Sequence, residues 1–293
     1  MGCNGQRVGT KVSGMGFREK LEAAQRRSGS LLCVGLDPDP ALMPVQDVAA
    51  FNMAIIEATS DLVCAYKPNM AFYEALSLPG LRALEITLAH IPSHIPVILD
   101  AKRGDVGNTA GAYARALFER FGCDAVTVNA YGGYDTIEPF VAYADKGVFL
   151  WCRSSNPGAG DFQDLPTQFQ GDVMPFYQVV ARQAVRWDRP NLGLVVGATY
   201  PSELAAVRAI APALPILVPG LGAQQGDIEA AVQAGLDASG GGLLLSASRS
   251  VLYAYREASA SGSGDYARAA RDAASALRDV IHRARESILA QRR

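Results

Sequence analysis

Eight short apolar runs, each bounded by turn-forming residues, constrain the fold of this chain more than any other feature. They are rich in Val, Ile, Leu and Cys, and they are nearly continuous rather than alternating. Continuous apolar runs are typical of strands buried on both faces, as in a parallel sheet covered by helices. The predicted strands are Leu31–Leu36, Leu62–Tyr66, Pro96–Leu99, Ala125–Val128, Val148–Cys152, Leu192–Val196, Ile216–Val218 and Leu243–Leu245.

Most segments between these runs place apolar residues three and four positions apart, which is the spacing of one helix face. The last segment carries Ala270, Leu277 and Ile281 on one stripe and predicts a helix that closes the fold. The predicted helices are Ala49–Thr59, Phe72–Ala89, Ala110–Phe121, Met174–Arg186, Ser202–Ile210, Asp227–Ala234 and Tyr266–Leu289.

Eight successive βα units predict an α/β fold, a (β/α)8 TIM barrel in a single domain. A doubly wound open sheet is the alternative, since it shares the alternation of strands and helices. Against it, no G-x-G-x-x-G motif follows the first strand, where Val34-Gly35-Leu36-Asp37-Pro38 stands. We expect residues 1–14 to form a flexible leader and residues 15–293 to form the barrel with its C-terminal closing helix.

Composition limits the partners of the chain. The net charge is −2 and no block of like charges occurs, so the sequence favours neither a nucleic-acid partner nor a membrane surface. No apolar run approaches the roughly 20 residues that span a bilayer. Four of the five cysteines lie in apolar runs, which is typical of buried thiols in a reducing compartment. We therefore expect a cytoplasmic protein.

Metal chemistry has no support in the sequence. His90, His94 and His282 do not form a ligand set, and no Cys-x-x-Cys pair is present. We expect neither a metal ion nor an organic cofactor.

Barrel enzymes carry their chemistry at the carboxyl ends of the strands. The sharpest motif at such an end is Leu99–Asp105, in which Asp100 and Lys102 lie two residues apart and point to the same side of an extended chain. Lys67, from the preceding strand, can approach the same carboxylate. A salt-bridge cluster that seals the barrel mouth is the structural alternative, but buried ion pairs are poor stabilisers. The polar residues predicted at strand ends are Asp37, Lys67, Asp100, Lys102, Asn129, Ser154, Ser155, Thr199, Gln224 and Arg249.

A phosphate site is predicted after the last two strands. Pro219–Gly226 is rich in glycine, and Ser246–Ser250 opens a further helical turn. Backbone N–H groups of such loops and helix N-termini bind anions, and Arg249 can add a bidentate contact. The segment Cys152–Gly158 offers hydroxyls suited to a heterocycle, although a capped turn is an alternative for it. A plain turn is likewise the alternative for the glycine-rich loop.

Five motifs taken together resemble the bacterial long-form orotidine 5′-phosphate decarboxylases, also called the type 2 subfamily. The resemblance runs in order from about Phe17 to Tyr255, and the Asp-x-Lys-x-x-Asp core with an upstream lysine is its most specific part. The motifs are Leu32–Asp39, Tyr66–Glu74, Asp100–Asp105, Ser155–Gly158 and Pro219–Gln224.

The resemblance implies a role for each matching residue. Lys67, Asp100, Lys102 and Asp105 match the catalytic tetrad, with Lys102 as the proton donor. The implied reaction converts orotidine 5′-monophosphate to uridine 5′-monophosphate. Asp105 and Thr109 are implied to reach into the site of a second subunit, so the resemblance predicts a homodimer. The implied substrate contacts are Asp37 for the ribose, Ser155 for the pyrimidine, and Gln224 and Arg249 for the phosphate.

One residue departs from shorter relatives, because Ser248 stands where they often carry Gly before the arginine. Two other functions remain open from the sequence. One is a metal-dependent sugar-phosphate decarboxylase or aldolase that shares the Asp-x-Lys-x-x-Asp pattern, and the other is a non-catalytic nucleotide-binding protein. The segments Tyr66–Glu74 and Ser155–Gly158 favour the nucleotide substrate over a sugar phosphate.

Overall fold

The barrel predicted from the apolar runs is confirmed by a computed structural model, which describes residues 15–221, 225–258 and 265–292. Eight parallel strands form one sheet, namely β1 Leu32–Leu36, β2 Ala65–Pro68, β3 Ile98–Arg103, β4 Ala125–Val128, β5 Gly147–Arg153, β8 Leu192–Val196, β9 Ile216–Pro219 and β10 Leu243–Ala247. Their order in the sheet is β2-β1-β10-β9-β8-β5-β4-β3. Parallel bridges from Tyr66 to Val97 and from Asn69 to Asp100 join the two ends of this order.

Helices cover the outside of the sheet. The closing helix, predicted at Tyr266–Leu289, is observed as α13 and packs against α2, α10 and α11. The predicted leader, residues 1–14, lies outside the described residues. The helices are α1 Phe17–Ser28, α2 Val48–Thr59, α3 Met70–Glu74, α4 Ser77–His90, α5 Gly107–Arg115, α6 Tyr134–Val141, α7 Gly160–Gln163, α8 Phe176–Arg186, α9 Pro201–Ile210, α10 Gln225–Gly235, α11 Arg249–Leu252, α12 Tyr255–Ala258 and α13 Tyr266–Gln291.

Two predicted helices are interrupted. The segment Phe72–Ala89 divides into α3 and α4, because Ser77 adopts a left-handed backbone with φ of 56°. The segment Ala110–Phe121 begins earlier, as α5, and ends in the π-helical turn Ala116–Arg120. The helices α1, α6, α7 and α12 and the short 3-10 turn Pro157–Ala159 were not predicted.

A short antiparallel hairpin between β5 and α8 was also not predicted. Its strands are β6 Pro166–Phe169 and β7 Asp172–Pro175. The predicted helix Met174–Arg186 therefore begins only at Phe176, since Met174 and Pro175 pair with β6.

The strands bury both faces, as the continuous apolar runs predict. In β1, Leu32, Val34 and Leu36 belong to the outer core beneath the helices, whereas Cys33 belongs to a smaller cluster inside the barrel. Phe17 and Leu21 of α1 pack into this inner cluster at the amino end of the strands, where the Phe17 backbone N–H donates to Asp145 O. The amino end is thus closed by apolar side chains, which leaves the carboxyl end for chemistry.

Candidate active site

Three charged residues of the sequence motifs meet at the carboxyl ends of β2 and β3. Lys67 occupies the third position of β2, and Asp100 and Lys102 lie on β3. The bridge from Asn69 to Asp100 brings the two strands together at this level. The sequence therefore predicted the proximity of these side chains correctly.

Asp100 is the centre of the cluster. Lys67 Nζ donates to Asp100 Oδ2 at 3.2 Å, and Lys102 Nζ donates to Asp100 Oδ1 at 2.8 Å. Thr127 Oγ1, from β4, also donates to Asp100 Oδ1 at 2.7 Å. The carboxylate thus accepts three hydrogen bonds, two of them from cations.

This environment holds both Lys67 and Asp100, which form the buried ion pair, in their charged forms. Burial alone would raise the pKa of Asp100, but the charges of Lys67 and Lys102 and the hydrogen bonds from Lys102 and Thr127 lower it to about 2. Burial alone would lower the pKa of Lys67, but the carboxylates of Asp37 and Asp100 raise it above its ordinary value. A cluster of fixed charges therefore exists before any substrate binds.

The two lysines differ in access to solvent. The Lys67 side chain is 4% exposed, whereas that of Lys102 is 38% exposed. Lys102 Nζ also lies 5.9 Å from the centre of the Trp151 ring. Lys102 is consequently the ammonium that a ligand at the barrel mouth can reach. Lys67 is buried and pairs with the other oxygen of the Asp100 carboxylate.

Asp37 is held at the end of β1 by two donors. Its Oδ1 accepts from the Asn69 backbone N–H at 3.1 Å, and its Oδ2 accepts from Ser248 Oγ at 2.6 Å. A Cβ atom built on Gly35 would lie 1.8 Å from Ser248 Oγ, so a glycine is needed there for this serine to approach. Ser248, the residue that departs from shorter relatives, therefore contacts the predicted ribose acid directly.

Ser155 follows β5 and is packed between two glycines. A Cβ atom on Gly197 would lie 2.7 Å from Ser155 Cβ, and one on Gly220 would lie 3.6 Å from Ser155 Oγ. Gly220 also has a positive φ of 85°, which disfavours any other residue. These close approaches hold Ser155, the residue predicted to contact the pyrimidine, against the ends of β8 and β9.

A buried arginine supports the same loop. Arg153 is 3% exposed, and its guanidinium donates to Gln163 Oε1 at 3.2 Å and to Asp164 Oδ2 at 3.3 Å. Gln163 Oε1 in turn accepts from the Ser154 backbone N–H at 2.9 Å. The loop after β5 is thus anchored to α7, a helix that was not predicted from the sequence.

The remaining predicted residues lie around this centre. Arg249 is exposed and begins α11, directly after β10. Asp105 and Thr109 are exposed beyond the end of β3, and the Asp105 carboxylate accepts from the Val106 backbone N–H at 2.7 Å. Within the described ranges, Lys102 forms its ion pair with Asp100 and not with Asp105. Gln224 lies outside the described residues.

A model of the orotidine 5′-phosphate decarboxylase / HUMPS family matches residues 30–262. The chain belongs to this family. The resemblance found in the motifs is thereby confirmed, and the Asp100–Lys102 motif lies well inside the matched region.

Relatives match almost the whole chain. An orotidine 5′-phosphate decarboxylase of Thermomicrobium roseum is 51% identical over 285 residues, which cover 94% of this chain and 99% of the relative. One of Azoarcus sp. is 49% identical over 279 residues, covering 92% and 99%. Among solved structures, OMP decarboxylase of Leishmania donovani is 39% identical with a TM-score of 0.81, covering 93% of this chain and 99% of that chain.

Several residues of this decarboxylase-family site carry only a weak signal in the sequence. Thr127 lies within an apolar strand, and Gly35, Gly197 and Gly220 matter because of what packs against them. Arg153 directly precedes Ser154, and its side chain is buried, which is unusual for an arginine. A hydroxyl or a charge inside a buried strand was the one available hint.

No group of three or more His, Cys, Asp or Glu side chains in the described part of the chain is arranged to hold a metal ion. No helix within the described ranges is long and apolar enough to cross a membrane.

Proposed function

We propose that the protein converts orotidine 5′-monophosphate to uridine 5′-monophosphate, the last step of de novo UMP synthesis, without a metal or organic cofactor. Membership of the family and the names of its relatives support this reaction. The observation that carries the proposal is one buried carboxylate, Asp100, shared by Lys67 and Lys102 at the barrel mouth.

The reaction makes a specific demand on the site. When the bond between C6 of the pyrimidine and its carboxylate breaks, CO2 leaves and the electron pair stays on C6. This carbanion lies in the plane of the ring and has no π system to delocalise it. The site must therefore stabilise localised negative charge and then supply one proton to C6.

Lys102 meets both demands. Its ammonium is the more exposed of the two lysines, and its charge is supported by the carboxylate 2.8 Å away. A preorganised charge near the reacting atom stabilises the carbanion, and transfer of a proton from Nζ to C6 completes the product. Lys67 compensates the remaining charge of Asp100 and keeps its carboxylate in place.

The substrate groups remote from C6 have their own proposed contacts. Asp37 binds the ribose and Ser155 the pyrimidine, while Gln224 and Arg249 bind the phosphate. Binding energy from a remote phosphate can be used to orient the reacting carbon and to exclude water. The position of Arg249 at the start of α11 supports its part in this assignment.

We also propose a homodimer in which Asp105 and Thr109 complete the partner's site. Both residues are exposed on the segment that follows Lys102, and Val106 between them is 65% exposed. An exposed apolar residue beside predicted catalytic groups is typical of a surface that is covered in an assembly. The cytoplasm is the proposed location, in keeping with the burial of the four described cysteines.

The direct test is an ultraviolet assay of orotidine 5′-monophosphate consumption, run with and without a chelator. We expect turnover that the chelator does not change. Turnover that a chelator abolishes and a divalent metal restores would favour the metal-dependent alternative. Absence of turnover, together with tight nucleotide binding, would favour the non-catalytic one.

Substitution Lys102→Ala tests the mechanism. We expect kcat to fall at least ~10³-fold, since one preorganised charge at the reacting atom contributes several kcal/mol. The variant should remain folded by circular dichroism, because Lys102 is partly exposed. The matched control is Lys20→Ala, which removes another ion-paired lysine, 2.7 Å from Asp124 at the opposite end of the barrel. Near-wild-type kcat in Lys102→Ala would rule the mechanism out.

A further inference from the structure

Thr127 connects the two central residues of the cluster without being exposed to a ligand. It lies on β4 and is 1% exposed. Its Oγ1 donates to Asp100 Oδ1 at 2.7 Å and accepts from the Lys102 backbone N–H at 3.0 Å. A backbone N–H can only donate, so the single hydroxyl proton is directed to the carboxylate. The network thus has one possible orientation.

The backbone around Lys102 explains why such a link is needed. Leu99 pairs with Val126 and Arg103 pairs with Val128, so β3 advances four positions while β4 advances two. This bulge takes Lys102 out of the regular ladder and leaves its N–H without a backbone acceptor on β4. Lys102 also has a left-handed φ of 45°, which is unfavourable for a residue with a Cβ atom. The Thr127 hydroxyl supplies the missing acceptor at this position.

We propose that Thr127 is a positioning residue that holds Lys102 in its bulged conformation and fixes the Asp100 carboxylate beside it. The inference rests on the proposed function, since it assigns Lys102 as the group that reacts. Thr127 acts through these two residues and not on the substrate. Its effect should therefore appear in kcat more than in the affinity for the nucleotide.

Three variants of Thr127 test this role. In Thr127→Val, which keeps the shape and removes the hydroxyl, we expect kcat to fall about 10- to 100-fold, because a hydrogen bond to a charged group contributes on that order. The KM and the affinity for uridine 5′-monophosphate should change less than about threefold, since the binding contacts remain. Thr127→Ser keeps the hydroxyl, and its kcat should stay within about threefold of wild type. Thr127→Ala carries the same expectation as Thr127→Val and serves if the valine variant fails to fold.

The chain offers a closely matched control in Thr87. This residue is fully buried, and its hydroxyl also donates once, to Ala83 O, and accepts once, from Asn52 Nδ2. It lies on α4, away from the cluster. Thr87→Val should lower the thermal unfolding temperature to a similar extent as Thr127→Val while leaving kcat unchanged.

The outcomes separate this inference from the proposed function. If wild type shows turnover and Lys102→Ala loses it, yet folded Thr127→Val keeps wild-type kcat, Thr127 has no positioning role. The same holds if Thr127→Ser is as slow as Thr127→Val, or if the loss appears only in KM. If Lys102→Ala itself keeps its activity, the proposed function fails first, whatever Thr127 does.

Discussion

Asp37 and Ser248 come from opposite ends of the chain and meet because Gly35 leaves room between them. Ser248 Oγ donates to Asp37 Oδ2 at 2.6 Å, and the space beside Gly35 is already filled by this serine side chain. We predict that Gly35→Ala displaces Ser248 and loosens Asp37. The KM for orotidine 5′-monophosphate should rise at least about 10-fold, since a hydrogen bond to a charged group contributes ~1.5–3 kcal/mol.

The double variant gives the decisive comparison. Ser248→Gly removes the two atoms nearest to the added Cβ, and the third, Asp37 Oδ2 at 3.1 Å, needs to move by only a few tenths of an ångström. Gly35→Ala combined with Ser248→Gly should therefore have nearly the same KM as Ser248→Gly alone. Such non-additivity is expected for residues in contact or in one hydrogen-bond network, and not for distant, independent sites. If the effects of the two substitutions on KM are additive, the clash with Ser248 is not the cause of the higher KM. Steady-state kinetics of the three variants distinguish these results.

Residues differ in how far the sequence alone can predict them. Lys67, Asp100 and Lys102 were predictable because together they place several charges at the carboxyl ends of neighbouring apolar strands, where charges are costly to bury. Thr127 and Gly35 were not predictable, since threonine is common in strands and glycine has no side chain that could indicate a function. Their roles depend on neighbours brought close by the barrel.

The helix α1 was absent from the sequence prediction, and yet it closes the amino end of the barrel. Phe17 is 5% exposed and contacts Phe149 edge to face, with ring centroids 5.7 Å apart. The carbon atoms of its ring also fill the space above Gly147. Residues at this face of a TIM barrel contribute to stability, while the opposite face carries the chemistry.

We therefore predict that Phe17→Ala lowers the free energy of unfolding by ~3–5 kcal/mol, the usual cost of removing a buried aromatic ring. Its kcat, measured on folded protein, should match wild type. Chemical denaturation followed by fluorescence gives the first quantity. Phe162→Ala is the control, because that ring is 70% exposed and its loss should change stability by less than ~0.5 kcal/mol. An unaltered unfolding transition in Phe17→Ala would show that α1 does not seal the core.

Elements marked by a continuous apolar run were predicted well, and those shaped by tertiary contacts were not. The eight barrel strands were found because strands buried on both faces are apolar throughout. The hairpin of β6 and β7 escaped notice, since only Met174 among its strand residues is buried and no continuous apolar run marks either strand. The break at Ser77 also has no sequence signal, because a left-handed serine is held only by its surroundings.

At the scale of the whole molecule, Asp105 lies apart from the charge cluster of its own chain. The residue lies three positions after Lys102, and yet its carboxylate is exposed and contacts the adjacent Val106 N–H. Val106 and Tyr131, which follow neighbouring strands, are 65% and 82% exposed. These features agree with a homodimer in which this rim faces the second copy. Sedimentation should accordingly show twice the mass of one chain.

A hybrid dimer tests whether Asp105 serves the partner's site. Chains carrying Lys102→Ala and chains carrying Asp105→Ala are co-expressed with different affinity tags, and the hybrid is purified through both. If Asp105 acts across the interface, one site of the hybrid lacks both residues and the other has both. The hybrid should then show about half the activity of wild type, while each parent dimer is nearly inactive. If Asp105 acts within its own subunit, both sites of the hybrid are impaired and it remains as inactive as its parents.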